Sequence, residues 1–382
     1  MSLRSLADLG STAAGRELLA EHGVLSQPDR FRAVLRPPVR PGLAERFGLS
    51  HDHPLVYVGQ QVATDYAHAT AAKFVTAREL DEGGVRCVMI WHDMDRAGSG
   101  RYGLRIVINL AGSPVGFGLA SRKFEDRESR FVRLERERLP EAFSSARDAV
   151  GVLPRATQAR AREKLDAMEL LLADESITTL AEATQVLATW LLREQLGVDL
   201  GAIRISDLVA AGLLQPAIVE VLERRDEVVD AFNSAVAGFE RHGIDPHVHP
   251  LDDQWLPLWY SCLVTGRRLR LRSERSGAVV LAVAPDCPCG ERHRFDLGSG
   301  ASLDELEATG RWSPDVLLPV FHNELTSGYV AGRSTALYGA VMREVIRALG
   351  REPTPALVPA ALTEAGAGGL RFETLLNEYL AA

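Results

Sequence analysis

A strand–helix–strand pattern near the start of the chain restricts the fold more than any other feature. Residues 55–58 (LVYV) form a short apolar run of β-forming residues that Gly59 closes, and residues 85–91 (VRCVMIW) form a second such run. Between them, residues 64–80 have the composition of a helix with few breakers. Two buried strands joined by one helix are a βαβ unit, which requires parallel strands and a right-handed crossover.

The rest of the sequence places this unit in an α/β fold. We expect a Rossmann-like parallel-sheet core, a helical region and a small antiparallel zinc-ribbon-like insertion. The predicted segments are a helical and loop lead-in (1–50), the first part of the core (51–125), a mainly helical region (126–244), the β module (245–300), and the second part of the core with C-terminal helices (301–382). Within them, the patterns predict further strands at 104–110 and 316–320, and a solvated helix face at 127–138.

Composition and charge exclude several classes of protein. The chain of 382 residues carries 43 basic and 51 acidic residues, a net charge of −8, which argues against a general nucleic-acid binder and makes a tRNA contact a minority interpretation. Apolar stretches fall short of the ~18 residues that a membrane span needs. The N-terminus lacks the apolar core of a signal peptide. We therefore expect a cytoplasmic protein without a membrane partner.

Polar residues follow both strands of the βαβ unit. A loop with the sequence GQQ (59–61) ends the first strand, and HDMD (92–95) ends the second. Because ligands of open α/β sheets bind beyond the carboxyl ends of the strands, we expect the two loops to meet at one site. Two carboxylates and an imidazole there can act as acid and base, or bind an amine or a metal. Each loop alone is also compatible with an ordinary polar turn.

The same residues resemble a known family. The stretch VYVGQQ, a helix with Lys73 near its middle, and VMIWHDMD resemble the N-terminal core of the bacillithiol-synthesis cysteine-adding enzymes. A second region with PDVLLPV (314–320), YVAG (329–332) and Tyr338 resembles the same family in the same order. The two regions cover about 30–95 and 310–355, less than half of the chain.

The resemblance implies a ligase that adds an amino acid, cysteine first of all, to an amine acceptor in a small-molecule thiol or natural-product pathway. It also implies a homodimer as one option, and ATP with Mg²⁺ as one option for the cofactor. The implied roles are proton transfer for His92, Asp93 and Asp95, and substrate binding for Gly59, Gln60, Gln61, Lys73, Tyr329 and Gly332.

Departures from the family pattern bear on the acceptor and on the dimer. Residues 65–68 (DYAH) stand where the family has Gly-Pro, and residues 333–335 (RST) stand where it has Pro-Gly-Glu. The chain is also shorter than is usual in the family. Two other interpretations remain open: an amino-acid-activating nucleotidyl transferase of the synthetase type, and a non-catalytic binding module.

A cysteine module in the last third predicts a metal site. Cys262, Cys287, Cys289 and His293 would supply three thiolates and one imidazole, a set that suits tetrahedral Zn²⁺ in a structural role. The layout resembles the zinc ribbons inserted in class I aminoacyl-tRNA synthetases, although Thr265 stands where a second cysteine of the first knuckle is expected. His247 and His249 lie upstream as substitute ligands. The alternative is a degenerate ribbon held by packing alone.

Overall fold

The computed structural model describes residues 8–9, 12–98, 103–108, 115–277, 279–298, 301–315, 317–359 and 374–381. The strands are β1 (Val24–Leu25), β2 (Leu55–Gln61), β3 (Arg86–His92), β4 (Arg105–Ile108), β5 (Val115–Gly118), β6 (Gly201–Arg204), β7 (Trp255–Ser261), β8 (Arg268–Ser276), β9 (Val279–Ala284), β10 (His293–Asp296), β11 (Trp312–Pro314), β12 (Gly328–Val330) and β13 (Ala356–Leu357). The helices are α1 (Ala13–Glu21), α2 (Pro28–Val34), α3 (Gly42–Arg46), α4 (His68–Glu82), α5 (Leu139–Ala149), α6 (Arg155–Leu172), α7 (Leu180–Leu196), α8 (Ile205–Ala210), α9 (Gln215–Glu223), α10 (Arg225–Arg241), α11 (Asp304–Thr309), α12 (Leu318–His322), α13 (Arg333–Ala348) and α14 (Leu375–Ala381).

A six-stranded parallel sheet with the order β1-β13-β12-β2-β3-β6 forms the centre of the fold. Alternate residues of its central strands pack into different hydrophobic clusters: Tyr57 and Ile90 belong to one, and Val58 and Met89 to the other. Helices therefore cover both faces, which explains why these strands are continuous apolar runs rather than alternating ones. The α/β prediction and the βαβ unit are confirmed.

A separate five-stranded antiparallel sheet, with the order β10-β9-β8-β7-β11, forms the predicted small β module. Its edge strand β11 extends the sheet beyond residue 300. The strand predicted at 316–320 is wrong, because residues from Leu318 onward form α12. Val316 lies outside the described residues. Pro319 explains the helix, since a residue without an N–H and with a fixed φ suits the first turn of a helix.

Two other sequence expectations are also corrected. The segment predicted to extend the main sheet, 104–110, instead forms β4, which pairs with β5 in a separate two-stranded ribbon; residues 109–110 lie outside the described residues. The solvated helix face predicted at 127–138 is a chain of short 3₁₀ turns before α5. Glu128 is fully buried there and paired with Arg130, so the charge pattern reflects a buried network rather than a helix surface.

Within the described ranges, no helix has the length and apolarity needed to cross a membrane.

Candidate active-site cleft and metal centre

A cleft of about 520 Å³ opens at the carboxyl edge of the parallel sheet, against the antiparallel sheet. Both predicted polar segments line it, together with residues from α8, β8, the end of β11, α12 and α13. The predicted loop at 59–61 is corrected, because these residues form the last three positions of β2, and His92 is the last residue of β3. The lining residues are Gly59, Gln60, Gln61, His92, Met94, Asp95, Ile205, Arg268, Pro314, Asp315, Leu318, Thr335 and Tyr338. A concave site with a few convergent polar groups at this edge is where an α/β sheet binds small molecules.

Lys73 fixes the amide of Gln60. The Nζ atom of this buried lysine, on α4, donates to the carbonyl oxygen of Gly59 at 2.8 Å and to Oε1 of Gln60 at 2.6 Å. Because the charged amine only donates, the amide of Gln60 presents its oxygen to Lys73 and leaves its NH₂ group for the cleft. Burial lowers the pKa of Lys73 to about 7.

Asp95 orients the neighbouring amide of Gln61 the other way round, so that its NH₂ group is bound and its oxygen is free. Nε2 of Gln61 donates to Oδ2 of Asp95, and Nη1 of Arg268 donates to Oδ1 of the same carboxylate at 2.9 Å. The carboxylate takes one more bond from the backbone N–H of Arg96 at 2.8 Å. Gln61 therefore leaves its carbonyl oxygen for the cleft, so two adjacent amides present one donor and one acceptor.

His92 is the imidazole of the cleft, at the end of β3. Its Nε2 atom is buried and has no hydrogen-bond partner within the described part of the chain. Burial, and then the positive charge of Lys73, lower the pKa of His92 to about 4 despite the nearby Asp95. The imidazole is therefore neutral at neutral pH. A Cβ placed on Gly59 would lie 2.9 Å from this Nε2 atom, which explains why a glycine is needed beside it.

Asp93 lies behind the cleft rather than in it. Its buried carboxylate accepts hydrogen bonds from the backbone N–H of Ser206 at 3.1 Å and from the Ser206 hydroxyl. Burial raises the pKa of Asp93 above its ordinary value. These bonds join the end of β3 to the start of α8, so the geometry gives Asp93 a structural position and leaves Asp95 as the predicted carboxylate that lines the cleft.

Tyr329 and Gly332 lie beside the cleft without lining it. Tyr329 is buried on β12, with its ring 5.6 Å from that of Tyr57, and burial raises its pKa. Gly332 precedes α13 and packs against Lys73, whose Cδ atom would lie 3.4 Å from a Cβ at that position. The groups that α13 turns toward the cleft are Thr335 and Tyr338.

Two charged groups of the cleft lining, Arg268 and Asp315, were not assigned to this site from the sequence. The side chain of Arg268 is 10% exposed. It forms an ion pair with Asp95 and also lies 3.6 Å from the buried carboxylate of Glu128. Asp315 accepts bonds from Arg270 at 2.9 Å and from the indole N–H groups of Trp255 and Trp259 at 3.1 and 2.9 Å. The alternation of arginines at 268, 270 and 272 was the available signal, since alternate residues of a strand share a face.

The cysteine module brings its predicted ligands together. The ligand atoms of Cys262, Cys287, Cys289 and His293 all lie within 4.8 Å of one another. Sulfur atoms around tetrahedral Zn²⁺ are about 3.8 Å apart at the usual Zn–S distance, so the cluster has a suitable size. The backbone N–H groups of Thr265 and Glu291 point at the sulfurs of Cys262 and Cys289, at 3.5 and 3.4 Å. Such N–H···S bonds stabilise thiolates, so this cluster can hold a metal ion.

Comparison of the chain with protein-family models and with curated proteins gives no match.

Proposed function

We propose that the protein is a ligase-type enzyme that joins an amino acid to an amine acceptor, and that the cleft holds the amino acid. The opposed amides of Gln60 and Gln61 are the observation that carries this proposal. An amino acid offers a carboxylate, which accepts hydrogen bonds, and an ammonium group, which donates them. The NH₂ group of Gln60 and the carbonyl oxygen of Gln61, both residues of the cleft lining, match this pair.

The N-terminus of α13 supports an anionic group in the same cleft. This helix of 16 residues begins after Gly332, which has no side chain to cap the helix. Its first two turns bring Thr335 and Tyr338 into the cleft lining. The first N–H groups of a helix lack intrahelical partners and attract negative charge. A carboxylate bound by Gln60 would therefore gain further stabilisation from the helix.

His92 is the best-placed group to take a proton from the amine acceptor. The low pKa keeps its imidazole neutral at neutral pH, and its Nε2 atom lacks a partner. A neutral imidazole nitrogen is a hydrogen-bond acceptor for an amine. In this scheme Asp95 acts on the amino-acid site by holding Gln61, and Asp93 supports the strand end from behind.

The apolar part of the lining supports a small side chain of low polarity. Met94, Ile205, Pro314 and Leu318 contribute apolar surface beside the polar groups. Cysteine behaves as a small hydrophobe with a weak donor, so it suits such a wall. Cysteine, which the family resemblance also implies, is therefore our first choice of donor.

A thermal-shift screen of the purified full chain against the twenty amino acids, each with and without ATP and Mg²⁺, tests this proposal. A ligand that binds only the native state at a hundredfold excess over Kd stabilises it by about 2.7 kcal/mol. We expect one amino acid, cysteine first, to raise Tm, and Gln60→Ala and Gln61→Ala to weaken its binding at least tenfold. Gln254→Ala, which changes an exposed glutamine outside the cleft lining, is the matched control.

The other outcomes of this screen favour different functions. A response to ATP alone would favour the nucleotidyl transferase. No response to any ligand would favour the binding module. If an amino acid binds, its carboxylate must be activated before an amine can displace one of its oxygens, so mass spectrometry of reactions with ATP, Mg²⁺ and small amines must show the amide together with cleaved nucleotide. Binding without product in every such reaction would contradict the ligase.

We also propose that the cluster of three cysteines and one histidine holds Zn²⁺ as a structural ion. Three thiolates and an imidazole form a closed tetrahedral set, which leaves no position for a substrate. The cluster connects the turn after β7 to the start of β10, so the ion would close one end of the antiparallel sheet. His247 and His249 are not members of this cluster.

A further inference from the structure

A second cavity of about 500 Å³ lies at the amino edge of the parallel sheet, opposite the cleft. The start of β1, the helix α2 with the segment after it, and the loops that precede β12 and β13 form its walls. Its volume nearly equals that of the cleft and lies within the range of small-molecule sites. The function proposed above makes no use of it.

Arg343 places a buried positive charge in this cavity. The residue lies on α13 and is only 9% exposed. Its Nη1 atom donates to the carbonyl oxygens of Pro353 and Thr354 at 3.2 and 2.9 Å, and its Nε atom has no partner. Among the described residues, no carboxylate forms an ion pair with this guanidinium.

The missing counter-ion is unusual for a charge at this depth. Arg268, whose side chain is about equally buried, has Asp95 at 2.9 Å and Glu128 at 3.6 Å. Buried charges are strongly unfavourable unless they are paired, and two backbone dipoles compensate only part of a full charge. An anion in the cavity would complete the pairing of Arg343.

The surroundings of the cavity also favour an anion. Arg36 lies in the lining, is exposed, and forms no ion pair with any described residue. Arg30 lines the cavity too, and its partner Glu17, at 3.5 Å, lies outside the lining. Glu352, the one acidic residue of the lining, is exposed. The lining holds three arginines and one carboxylate, so even with Glu17 offsetting Arg30 the cavity stays positive.

The walls identify what the anion must carry. Val34 and Val39 are 50% and 76% exposed and both line the cavity, beside Leu25 and Pro37. Exposed apolar surface gathered in a concave site favours an apolar ligand. A phosphate ion would leave these apolar side chains exposed to water, whereas an alkyl chain would cover them.

We propose that the amino-edge cavity is a binding site for a carboxylate with an apolar chain of medium length, its carboxylate against Arg343 and its chain along Val34 and Val39. This site is separate from the amino-acid cleft, so it stands whether or not the proposed ligase activity does.

Isothermal titration of the full chain with hexanoate, octanoate and decanoate tests the site. Each buried methylene contributes about 0.8 kcal/mol, so Kd should fall about fourfold per methylene until the cavity is full. We expect 1-octanol and inorganic phosphate to bind at least tenfold more weakly than octanoate. Equal binding of octanol, tighter binding of phosphate, or no binding of any carboxylate would overturn the proposal.

Variants locate the site. Arg343→Gln should weaken octanoate binding at least tenfold, and Arg347→Gln should leave it unchanged, because Arg347 is exposed, lies on the same helix and does not line the cavity. Should Arg343→Gln fail to fold, Val39→Asp at the exposed wall must weaken binding as strongly. Gln61→Ala should have no effect, which separates this site from the cleft. Unchanged binding in both cavity variants would refute the assignment.

Discussion

Arg268 and Asp95 form an ion pair that joins the two sheets, with Nη1 2.9 Å from Oδ1 across 173 positions of sequence. Arg268 belongs to β8 of the antiparallel sheet, and Asp95 follows β3 of the parallel sheet. Since Asp95 also holds the amide of Gln61, the position of one sheet determines how the other presents this amide to the cleft.

Replacing Arg268 should be costly, and its loss should be less than additive with the loss of Glu128. Arg268→Gln leaves the buried Glu128 and Asp95 without this cation, and breaking such a pair costs about 3–5 kcal/mol. Glu128 keeps Arg130 at 2.8 Å, so adding Glu128→Gln removes a carboxylate that has already lost one of its two arginine partners; the double variant should lose at least about 1 kcal/mol less than the sum of the two single losses, as unfolding in denaturant would show. Additive losses would mean that the two side chains do not interact.

Gly59→Ala should impair the cleft more than the fold. The new Cβ would lie 2.9 Å from Nε2 of His92, so the imidazole must shift. We expect at least a tenfold loss of amino-acid affinity or turnover with a change in unfolding free energy of about 1 kcal/mol. Gly151→Ala, at a helical position with open space, is the control. Unimpaired turnover in Gly59→Ala would exclude a role that depends on the position of His92.

The meeting of the two polar loops was predictable from sequence because it depends on local pattern. Two apolar runs and a helix predict parallel neighbours, and neighbouring parallel strands end at the same edge; the structure then pairs Gln61 with His92. The choice between Asp93 and Asp95 was not predictable. Both follow the same strand, and the backbone path after Trp91 decides which carboxylate meets Ser206 and which faces the cleft.

The residues contributed by the second sheet could not be predicted for another reason. Arg268 and Asp315 reach the cleft through packing between two sheets, and no local periodicity encodes that arrangement. At Glu128 the local pattern was misleading. Its spacing from Arg130 and other charged residues is typical of a solvated helix face, but both side chains belong to a buried network. The cysteine cluster was predictable because its ligands flank two turns of one small sheet.

Metal analysis should find one Zn²⁺ per chain. Cys287→Ser should bind less than a fifth of that amount and should lose the fall in Tm that a chelator causes in the wild-type protein, because metal binding contributes directly to folding free energy. Cys87→Ser changes a buried cysteine of the parallel sheet, outside the cluster, and should keep the full metal content. Full metal content in Cys287→Ser would show that the ion lies elsewhere.

Lys73 should make the stability depend on pH in a definite direction. Its pKa is about 7 in the folded protein and 10.5 when exposed, so between these values the unfolded chain binds more protons than the folded one. Stability therefore rises with pH through this window, by up to about 1.4 kcal/mol per pH unit from this group alone. Lys73→Met removes the contribution, so the free energy of unfolding of the wild type minus that of the variant should increase by about 1 kcal/mol per pH unit between pH 7.5 and 9. Lys123→Met, at an exposed lysine, should parallel the wild type. Parallel curves for Lys73→Met would show that the amine which holds Gln60 is not a buried charge, and the fixed orientation of that amide would lose its main support.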